Sequence, residues 1–279
     1  MKTLISDLDG TLLRTDHTVS RATIEALRDW HDSGGEFIIA TGRAYFEVEE
    51  IAAEIGIPCP LICMNGALIM NQQEIIYSKA IDREVVNKVL PLILERQFNI
   101  DIITNQVIYK VGKIERLLEI FKSSIQQVDI DMLHEAIEDG HVRLVDENDI
   151  PNILETEIDY IYKIIAYSAN KEKLQGLKTQ IAAIDGIEVT SAVEVNIEMG
   201  AKGVSKGEAV KRLSALLDFP LESTVAIGDN HNDVSMFDIA GTSIAMGNAM
   251  DDIKRRATIV TDVNDCDGLA KAIRTYFLP

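Results

Sequence analysis

Two aspartates separated by a single residue are the first group in this sequence that could do chemistry. They are Asp7 and Asp9, in the run DLDGT that directly follows the short apolar segment Thr3–Ser6. Two such carboxylates can converge on one site where a strand gives way to a turn, and Gly10 permits that turn. Such a pair can hold a hard cation and divide the roles of nucleophile and acid/base between them. An ordinary Asp-Gly turn would account for Asp9 and Gly10 but would leave Asp7 unexplained.

A lysine at the start of a later helix is a candidate anion-binding residue. Ser205 and Glu208 fit the N-cap and N3 positions of a capping box, which puts Lys206 in the first helical turn. A cation there opposes the helix dipole, whereas an anion bound at the same end would be stabilised by both. Lys202 is the competing candidate.

A second acidic pair, Asp229 and Asp233, follows the apolar run Thr224–Ile227 within the letters GDNHND. The structural alternative is the acidic first turn of a helix, but two carboxylates so close usually require a cation. We interpret His231, which lies between them, as an exposed loop histidine and not as a catalytic base.

The order of these motifs resembles that of the haloacid dehalogenase superfamily of phosphohydrolases. The family's four motifs are matched in order by residues 7–11, 41–42, 206–207 and 228–233. Asn65–Ala67, Ala245–Ala249 and the long segment before Lys206 look like the Cof-like subgroup, which carries an inserted α/β cap.

The resemblance implies a Mg²⁺-dependent phosphatase that works through an aspartyl-phosphate. Asp7 would attack phosphorus, and Asp9 would protonate the leaving alcohol and then activate water. The implied metal ligands are Asp7, Asp9 through its backbone carbonyl, Asp229, and Asp233 either directly or through water. The implied phosphate or substrate contacts are Thr41, Gly42, Lys206 and Asn232.

Strands and helices alternate in a way that would bring these residues together. Apolar runs predict buried strands at Thr3–Ser6, Phe37–Ala40, Leu61–Met64, Thr224–Ile227, Ser243–Met246 and Thr258–Val260. Helical patterns separate most of them, which indicates an α/β fold with a parallel, doubly wound, Rossmann-like sheet. Asp7, Thr41, Asn65 and Asp229 each follow a strand, at the sheet edge where ligands bind.

The segment 83–195 has a different pattern and predicts an inserted α+β cap domain that selects the substrate, with residues 1–82 and 196–279 as the hydrolase core. Pro91 should kink or shorten the first cap helix. The cap elements expected in order are a helix at Glu84–Gln97, strands at Ile100–Thr104 and Val107–Val111, a helix with an apolar face from Ile114 to Ile125, a strand at Tyr160–Tyr167, a helix from Asn170 to near Gly186, and two short strands.

Charge and cysteine content restrict the partners and the compartment. Asp and Glu number 45 against 27 Lys and Arg, and a net charge of −18 would repel nucleic acid and anionic membranes. A small phosphorylated metabolite is the expected partner of a monomer or homodimer. Three cysteines, the lack of a signal-like segment and the lack of a long apolar run favour the cytoplasm.

Alternatives to a phosphatase remain at this stage. A phosphomutase would use the same aspartates, and a receiver-like phospho-switch would need only about 120 residues and no insert. A P-loop kinase is excluded because no GxxxxGK[ST] motif occurs. The family resemblance suggests sugar phosphates or phosphorylated cofactors, such as pyridoxal phosphate or flavin mononucleotide, as substrates.

Overall fold

The computed structural model describes residues 2–96, 98–113, 130–190 and 195–278. The chain divides into a first unit, Met1–Ser78 with Val204–Pro279, and a second unit, Lys79–Gly203. These limits differ from the expected insert at 83–195. The later C-terminal limit follows because the strand Asn196–Ala201 pairs with strands of the second unit.

The described residues form fourteen strands and ten α-helices. The strands are β1 (Thr3–Ser6), β2 (Glu36–Ala40), β3 (Leu61–Cys63), β4 (Leu68–Asn71), β5 (Glu74–Ser78), β6 (Asn99–Ile103), β7 (Ile108–Val111), β8 (Val142–Val145), β9 (Lys163–Tyr167), β10 (Ile187–Thr190), β11 (Asn196–Ala201), β12 (Thr224–Gly228), β13 (Thr242–Ala245) and β14 (Ile259–Val260). The helices are α1 (Arg21–Asp32), α2 (Phe46–Ile55), α3 (Arg83–Leu94), α4 (Ile130–Glu138), α5 (Ile150–Thr156), α6 (Lys171–Ile181), α7 (Lys206–Leu217), α8 (Val234–Phe237), α9 (Asp251–Lys254) and α10 (Gly268–Tyr276). No helix in this described part of the chain is long and apolar enough to cross a membrane.

The first unit is built on a sheet with the strand order β14-β13-β12-β1-β2-β3-β4-β5. The strands from β14 to β3 are parallel, which confirms the expected doubly wound sheet. Strands β4 and β5, which the pattern of apolar runs does not predict, extend the sheet in antiparallel fashion.

One face of the parallel sheet packs against α7. Ile5, Ile38 and Ala226 lie in register on neighbouring strands and share a buried cluster with Val210 and Leu213 of α7. Burying an aliphatic side chain of this size contributes about 1.5–3 kcal/mol to folding. This packing fixes the start of α7 relative to the strand ends, and the start of α7 carries the candidate lysine.

The second unit has its own sheet, in the order β10-β11-β9-β6-β7-β8. Its pairs are antiparallel except for β7 with β8. The strand pair expected at residues 100–104 and 107–111 is present as β6 and β7. The helix expected from Ile114 to Ile125 lies outside the described residues.

Some predicted boundaries are wrong by a few residues. Strand β9 begins at Lys163 and not at Tyr160, and α6 ends at Ile181, before Gly186. Helix α3 runs through Pro91 and ends at Leu94. Pro91 is tolerated in this last turn because it lies on the exposed side of the helix, together with Asn87, the residue whose carbonyl loses its hydrogen-bond partner.

Candidate active site

Strand β1 carries Asp7 to the carboxyl edge of the first sheet. The Asp7 N–H donates to the Ile227 carbonyl at 2.9 Å, so the sheet pairing continues one residue beyond β1. The chain then turns at Gly10, whose φ of +72° favours glycine. A Cβ at Gly10 would also lie 2.5 Å from Asp229 Oδ2, so the turn brings the backbone close to the second acidic pair.

Lys206 lies between two carboxylates. Its Nζ is 2.6 Å from Asp7 Oδ1 and 2.6 Å from Asp233 Oδ1, and its side chain is fully buried. Burial alone would lower the pKa of Lys206, but the two carboxylates more than offset burial and raise that pKa above its ordinary value. The lysine therefore stays charged inside the site.

The start of α7 explains how Lys206 reaches this position. Ser205 Oγ caps the helix by accepting from the Glu208 N–H at 3.1 Å. The Gly207 N–H donates to Ser235 Oγ at 3.0 Å, and a Cβ at Gly207 would lie 2.1 Å from the Ser235 carbonyl oxygen. Glycine thus lets the helix start approach the segment that carries Asp233.

The competing lysine lies elsewhere. Lys202 belongs to the second unit, where its Nζ pairs with Asp185 at 2.8 Å. Both side chains of this pair are largely exposed. Of the two candidates, Lys206 is the one that the structure brings to the aspartates.

Asp233 accepts hydrogen bonds from the loop after β12 in addition to the one from Lys206. Its Oδ2 accepts from the backbone N–H groups of Asp229 and Asn230, each at 2.9 Å. Asn230 completes a capping box with Asp233 at the start of the following helical turn. His231 is exposed, with Nε2 3.7 Å from Asp252 Oδ2. It is the first residue of a short 3₁₀ helix, His231–Asp233, and its lack of a catalytic role stays a prediction.

Three of the candidate metal ligands form one cluster. Asp7, Asp229 and Asp233 each offer a carboxylate oxygen within 4.8 Å of the others. Burial and then the charge of Asp233 raise the pKa of Asp7 well above its ordinary range, although Lys206 lowers it. Burial and then Asp233 raise the pKa of Asp229 to about 6.

This cluster fits a divalent cation. Three ionised carboxylates with one ammonium carry a formal charge of −2, and carboxylate oxygens are the hard ligands that Mg²⁺ prefers. Burial is the main cause of the raised pKa values of Asp7 and Asp229, and the negative charge of Asp233 raises both further, so a cation bound among these carboxylates would favour their ionised forms.

The Asp9 side chain points to a different partner. Arg43 Nε donates to Asp9 Oδ2 at 2.9 Å, and Arg43 Nη2 donates to Oδ1 at 2.5 Å. Sequence reasoning gave Arg43 no role. The available signal was its position directly after Thr41 and Gly42 in the second motif.

The second motif lies beside the turn after β3. Thr41 is buried, and its carbonyl accepts from the Asn65 N–H at 2.9 Å. Asn65 has a φ of +56°, and its Oδ1 accepts from Asn232 Nδ2 at 3.0 Å. A Cβ at Gly42 would lie 3.2 Å from the same Oδ1. Thr41, Gly42 and Asn232 are therefore brought together around Asn65.

Asn248 is a further residue whose position sequence reasoning did not explain. Its Nδ2 donates to the Gly10 carbonyl at 2.8 Å and lies 3.4 Å from Asp229 Oδ2. Its Oδ1 accepts from the Asn264 N–H at 3.1 Å. Asn248 thus ties the turn after Asp7 to the second acidic pair. The run Ala245–Ala249, which resembles the Cof-like subgroup, is the feature of the sequence that contains this residue.

A comparison with known protein families identifies this arrangement. The model of the haloacid dehalogenase-like hydrolase family matches residues 4–273. The chain belongs to this family. The family membership and the Cof-like resemblance inferred from the motif order are therefore confirmed.

Curated relatives of this haloacid dehalogenase-like hydrolase are phosphatases. Phosphatase YwpJ of Bacillus subtilis (strain 168) is 34% identical over 283 residues, which cover 98% of this chain and 99% of that protein. The 5-amino-6-(5-phospho-D-ribitylamino)uracil phosphatase YwtE of the same organism is 30% identical over 97% of this chain and 96% of that protein. This haloacid dehalogenase-like hydrolase is a phosphoric monoester hydrolase, as the motifs predicted.

A solved structure agrees with the fold. A haloacid dehalogenase-like hydrolase from B. subtilis superposes with a TM-score of 0.84 at 33% identity, over 99% of this chain and 100% of that chain. The fold of the haloacid dehalogenase-like hydrolase, with both units, is therefore shared across the full length of a relative.

Proposed function

We propose that this enzyme is a Mg²⁺-dependent phosphatase that hydrolyses small phosphorylated metabolites through an aspartyl-phosphate on Asp7. The observation that supports this most strongly is the setting of Asp7. It is a buried carboxylate that contacts Lys206 and lies in one cluster with Asp229 and Asp233. Few roles other than nucleophile and metal ligand require a carboxylate in so acidic and buried a place.

In the proposed first step, a carboxylate oxygen of Asp7 attacks phosphorus and the bond from phosphorus to the ester oxygen breaks. Asp9 donates a proton to that oxygen, so the leaving group departs as an alcohol. In the second step, Asp9 takes a proton from water as the water attacks the aspartyl-phosphate. The bond from phosphorus to Asp7 breaks, and inorganic phosphate is released.

The proposed metal ligands are Asp7, Asp229, Asp233 and the backbone carbonyl of Asp9. The Asp233 oxygens already accept hydrogen bonds from Lys206 and from two backbone N–H groups, which favours a contact through water for this residue. A bound Mg²⁺ would supply positive charge that offsets the clustered carboxylates and the phosphate oxygens.

The proposed phosphate contacts come from the second and third motifs. Lys206 Nζ uses two of its three N–H groups for Asp7 and Asp233, and the third can donate to a phosphate oxygen. The Thr41 hydroxyl, the Gly42 N–H and the Asn232 amide would complete the set. Such donors stabilise charge that spreads over the phosphoryl oxygens in the transition state.

We propose sugar phosphates or phosphorylated cofactors as substrates. The named substrate of the relative YwtE, a phosphoribitylamino-uracil, joins a phosphorylated polyol to a heterocycle and lies within this range of chemistry. The second unit, Lys79–Gly203, is the proposed element of substrate selection, and the sequence pattern predicts this element at residues 83–195.

The proposed setting is the cytoplasm, with the enzyme as a monomer or homodimer. Cys59, Cys63 and Cys266 are free thiols, which suits a reducing compartment. Burial raises the pKa of Cys59 to about 12 and that of Cys63 further, so these two thiols are poor nucleophiles near neutral pH.

A phosphate-release screen tests the proposed function. About a hundred phosphorylated metabolites would be incubated with the enzyme in Mg²⁺ and in chelator, and free phosphate would be measured. Release beyond one phosphate per chain, with Mg²⁺ only, supports the proposal. Isomerised phosphoester without free phosphate would indicate a mutase, and a single phosphorylation per chain would indicate a phospho-switch.

A further inference from the structure

The carboxylate of Asp9 is held at two points by one guanidinium. Arg43 contacts both oxygens, through Nε at 2.9 Å and through Nη2 at 2.5 Å. The Asp9 side chain is about half exposed, whereas that of Arg43 is 19% exposed. A fork of two parallel N–H···O bonds fixes the plane of a carboxylate, which a single contact does not. The rotamer of Asp9 is therefore set by Arg43.

The backbone of Arg43 is itself anchored on both sides. Its N–H donates to Thr41 Oγ1 at 3.2 Å, and its carbonyl accepts from the Met64 N–H at 2.9 Å. The arginine is thus tied to the end of β2 and to the turn after β3. Because both strands belong to the parallel sheet that carries Asp7, the fork places Asp9 relative to Asp7.

We propose that Arg43 is a positioning residue that aims the Asp9 carboxylate for proton transfer to the leaving oxygen. This proposal deepens the proposed function and rests on it. A general acid works only within hydrogen-bond reach of the atom that it protonates, so its orientation limits the rate. Arg43 needs no contact with the substrate in this role. Its effect passes through Asp9 alone.

Comparing substrates with different leaving groups distinguishes a positioning role of Arg43 from a purely structural role. An alkyl phosphate needs a proton on its departing oxygen, whereas p-nitrophenolate departs without one. We expect Arg43→Met to lower kcat/KM for an alkyl phosphate by about 10- to 100-fold, mainly through kcat, which is at or below the lower limit of what general acid catalysis contributes because Asp9 itself is retained. The pre-steady-state burst of p-nitrophenolate should stay within about threefold of the wild-type rate.

Two further variants sharpen the test. Arg43→Lys keeps a positive charge but cannot form the fork, so it should show the same split between leaving groups. It also serves if Arg43→Met fails to fold. The matched control is Arg21→Met, which removes an arginine from the exposed pair with Glu25 and should leave both rates unchanged. An Arg43→Lys enzyme with full activity on alkyl phosphates would overturn the proposal.

A double-mutant cycle decides whether Arg43 acts through Asp9. In an Asp9→Asn background, Arg43→Met should cost little more, because the group that it positions is already disabled. If the rate losses of the two single variants multiply in the double variant, Arg43 acts independently of Asp9, for example on the substrate directly. That result would overturn the positioning role of Arg43 but leave the proposed function intact. A wild-type enzyme that hydrolyses no phosphate ester would overturn both this inference and the proposed function.

Discussion

Replacing the buried Lys206 by methionine tests the electrostatics of the carboxylate cluster. Lys206→Met keeps a similar side-chain length but removes the charge that lies 2.6 Å from both Asp7 and Asp233. Both partners stay buried, at 5% and 0% exposure. Breaking a buried ion pair by removing one partner costs about 3–5 kcal/mol, because the remaining charge is left without compensation.

The same substitution should increase the effect of Mg²⁺ on stability. Without Lys206, the formal charge of the cluster changes from −2 to −3, so a divalent cation gains more from binding. We expect Lys206→Met in chelator at pH 8 to lose about 3–5 kcal/mol of unfolding free energy. Added Mg²⁺ should restore part of this loss by binding the folded state. Urea denaturation with and without Mg²⁺ measures both quantities.

Activity gives a second readout for this variant. If Lys206 also meets charge that develops in the transition state, kcat/KM should fall by at least a hundredfold, about 2.7 kcal/mol. Lys202→Met is the control, since Lys202 lies in an exposed pair, and it should match the wild type in stability and rate. A Lys206→Met enzyme as stable as wild type in chelator, or a larger loss in Lys202→Met, would refute this account of the cluster.

Three other predictions test the site and the second unit. Asp7→Asn should abolish turnover, whereas Asp9→Asn with p-nitrophenyl phosphate should accumulate a phosphate adduct on the Asp7 peptide in acid-quenched mass spectrometry; an adduct on Asp9 would reverse the two roles. In chelator, Asp229 should bind a proton more tightly in the folded state than in the unfolded state, because its pKa is raised to about 6 on folding. The part of the unfolding free energy that comes from this proton should therefore fall by up to about 3 kcal/mol as pH rises from about 4 to 6. Asp229→Asn should remove that part of the pH dependence in urea melts, and an unchanged pH dependence would contradict it. Replacing Lys79–Gly203 by a short linker should leave a folded first unit that no longer ranks phosphate esters as the wild type does, and retained ranking in the phosphate-release screen would contradict the role in selection.

The parallel strands could be predicted from the sequence because they are short apolar runs, and four of them (β1, β2, β3 and β12) are followed within two residues by a polar residue of the candidate site. The clearest cases are β1 (Thr3–Ser6), which is followed by Asp7, and β12 (Thr224–Gly228), which is followed by Asp229. The β4–β5 pair gave no such signal. Its two-residue turn, Gln72-Gln73, has positive φ at both positions but lacks the Asn-Gly or Asp-Gly pair that usually marks such a hairpin.

The partners of individual charges could not be predicted, because they depend on contacts between distant segments. The helix-start argument showed that Lys206 favours an anion, but it could not distinguish a bound phosphate from Asp7 and Asp233. The fork between Arg43 and Asp9 joins residues 34 positions apart and left no periodic pattern. Asn248 and Gly10 are separated by 238 positions, which places their hydrogen bond beyond any local rule.

The strand that carries Asp7 has one neighbour nearby in the chain and one that is made much later. Thr3 pairs with Glu36 on β2 and with Thr224 on β12. During synthesis, β1 and β2 leave the ribosome long before β12, while the whole of Lys79–Gly203 is completed in between and can fold on local contacts. Until β12 arrives, one edge of β1 has unpaired N–H and C=O groups that invite association with other chains. Chains stalled before β12 should therefore depend on chaperones more than finished ones, and the active site assembles only when the last third of the protein has been made.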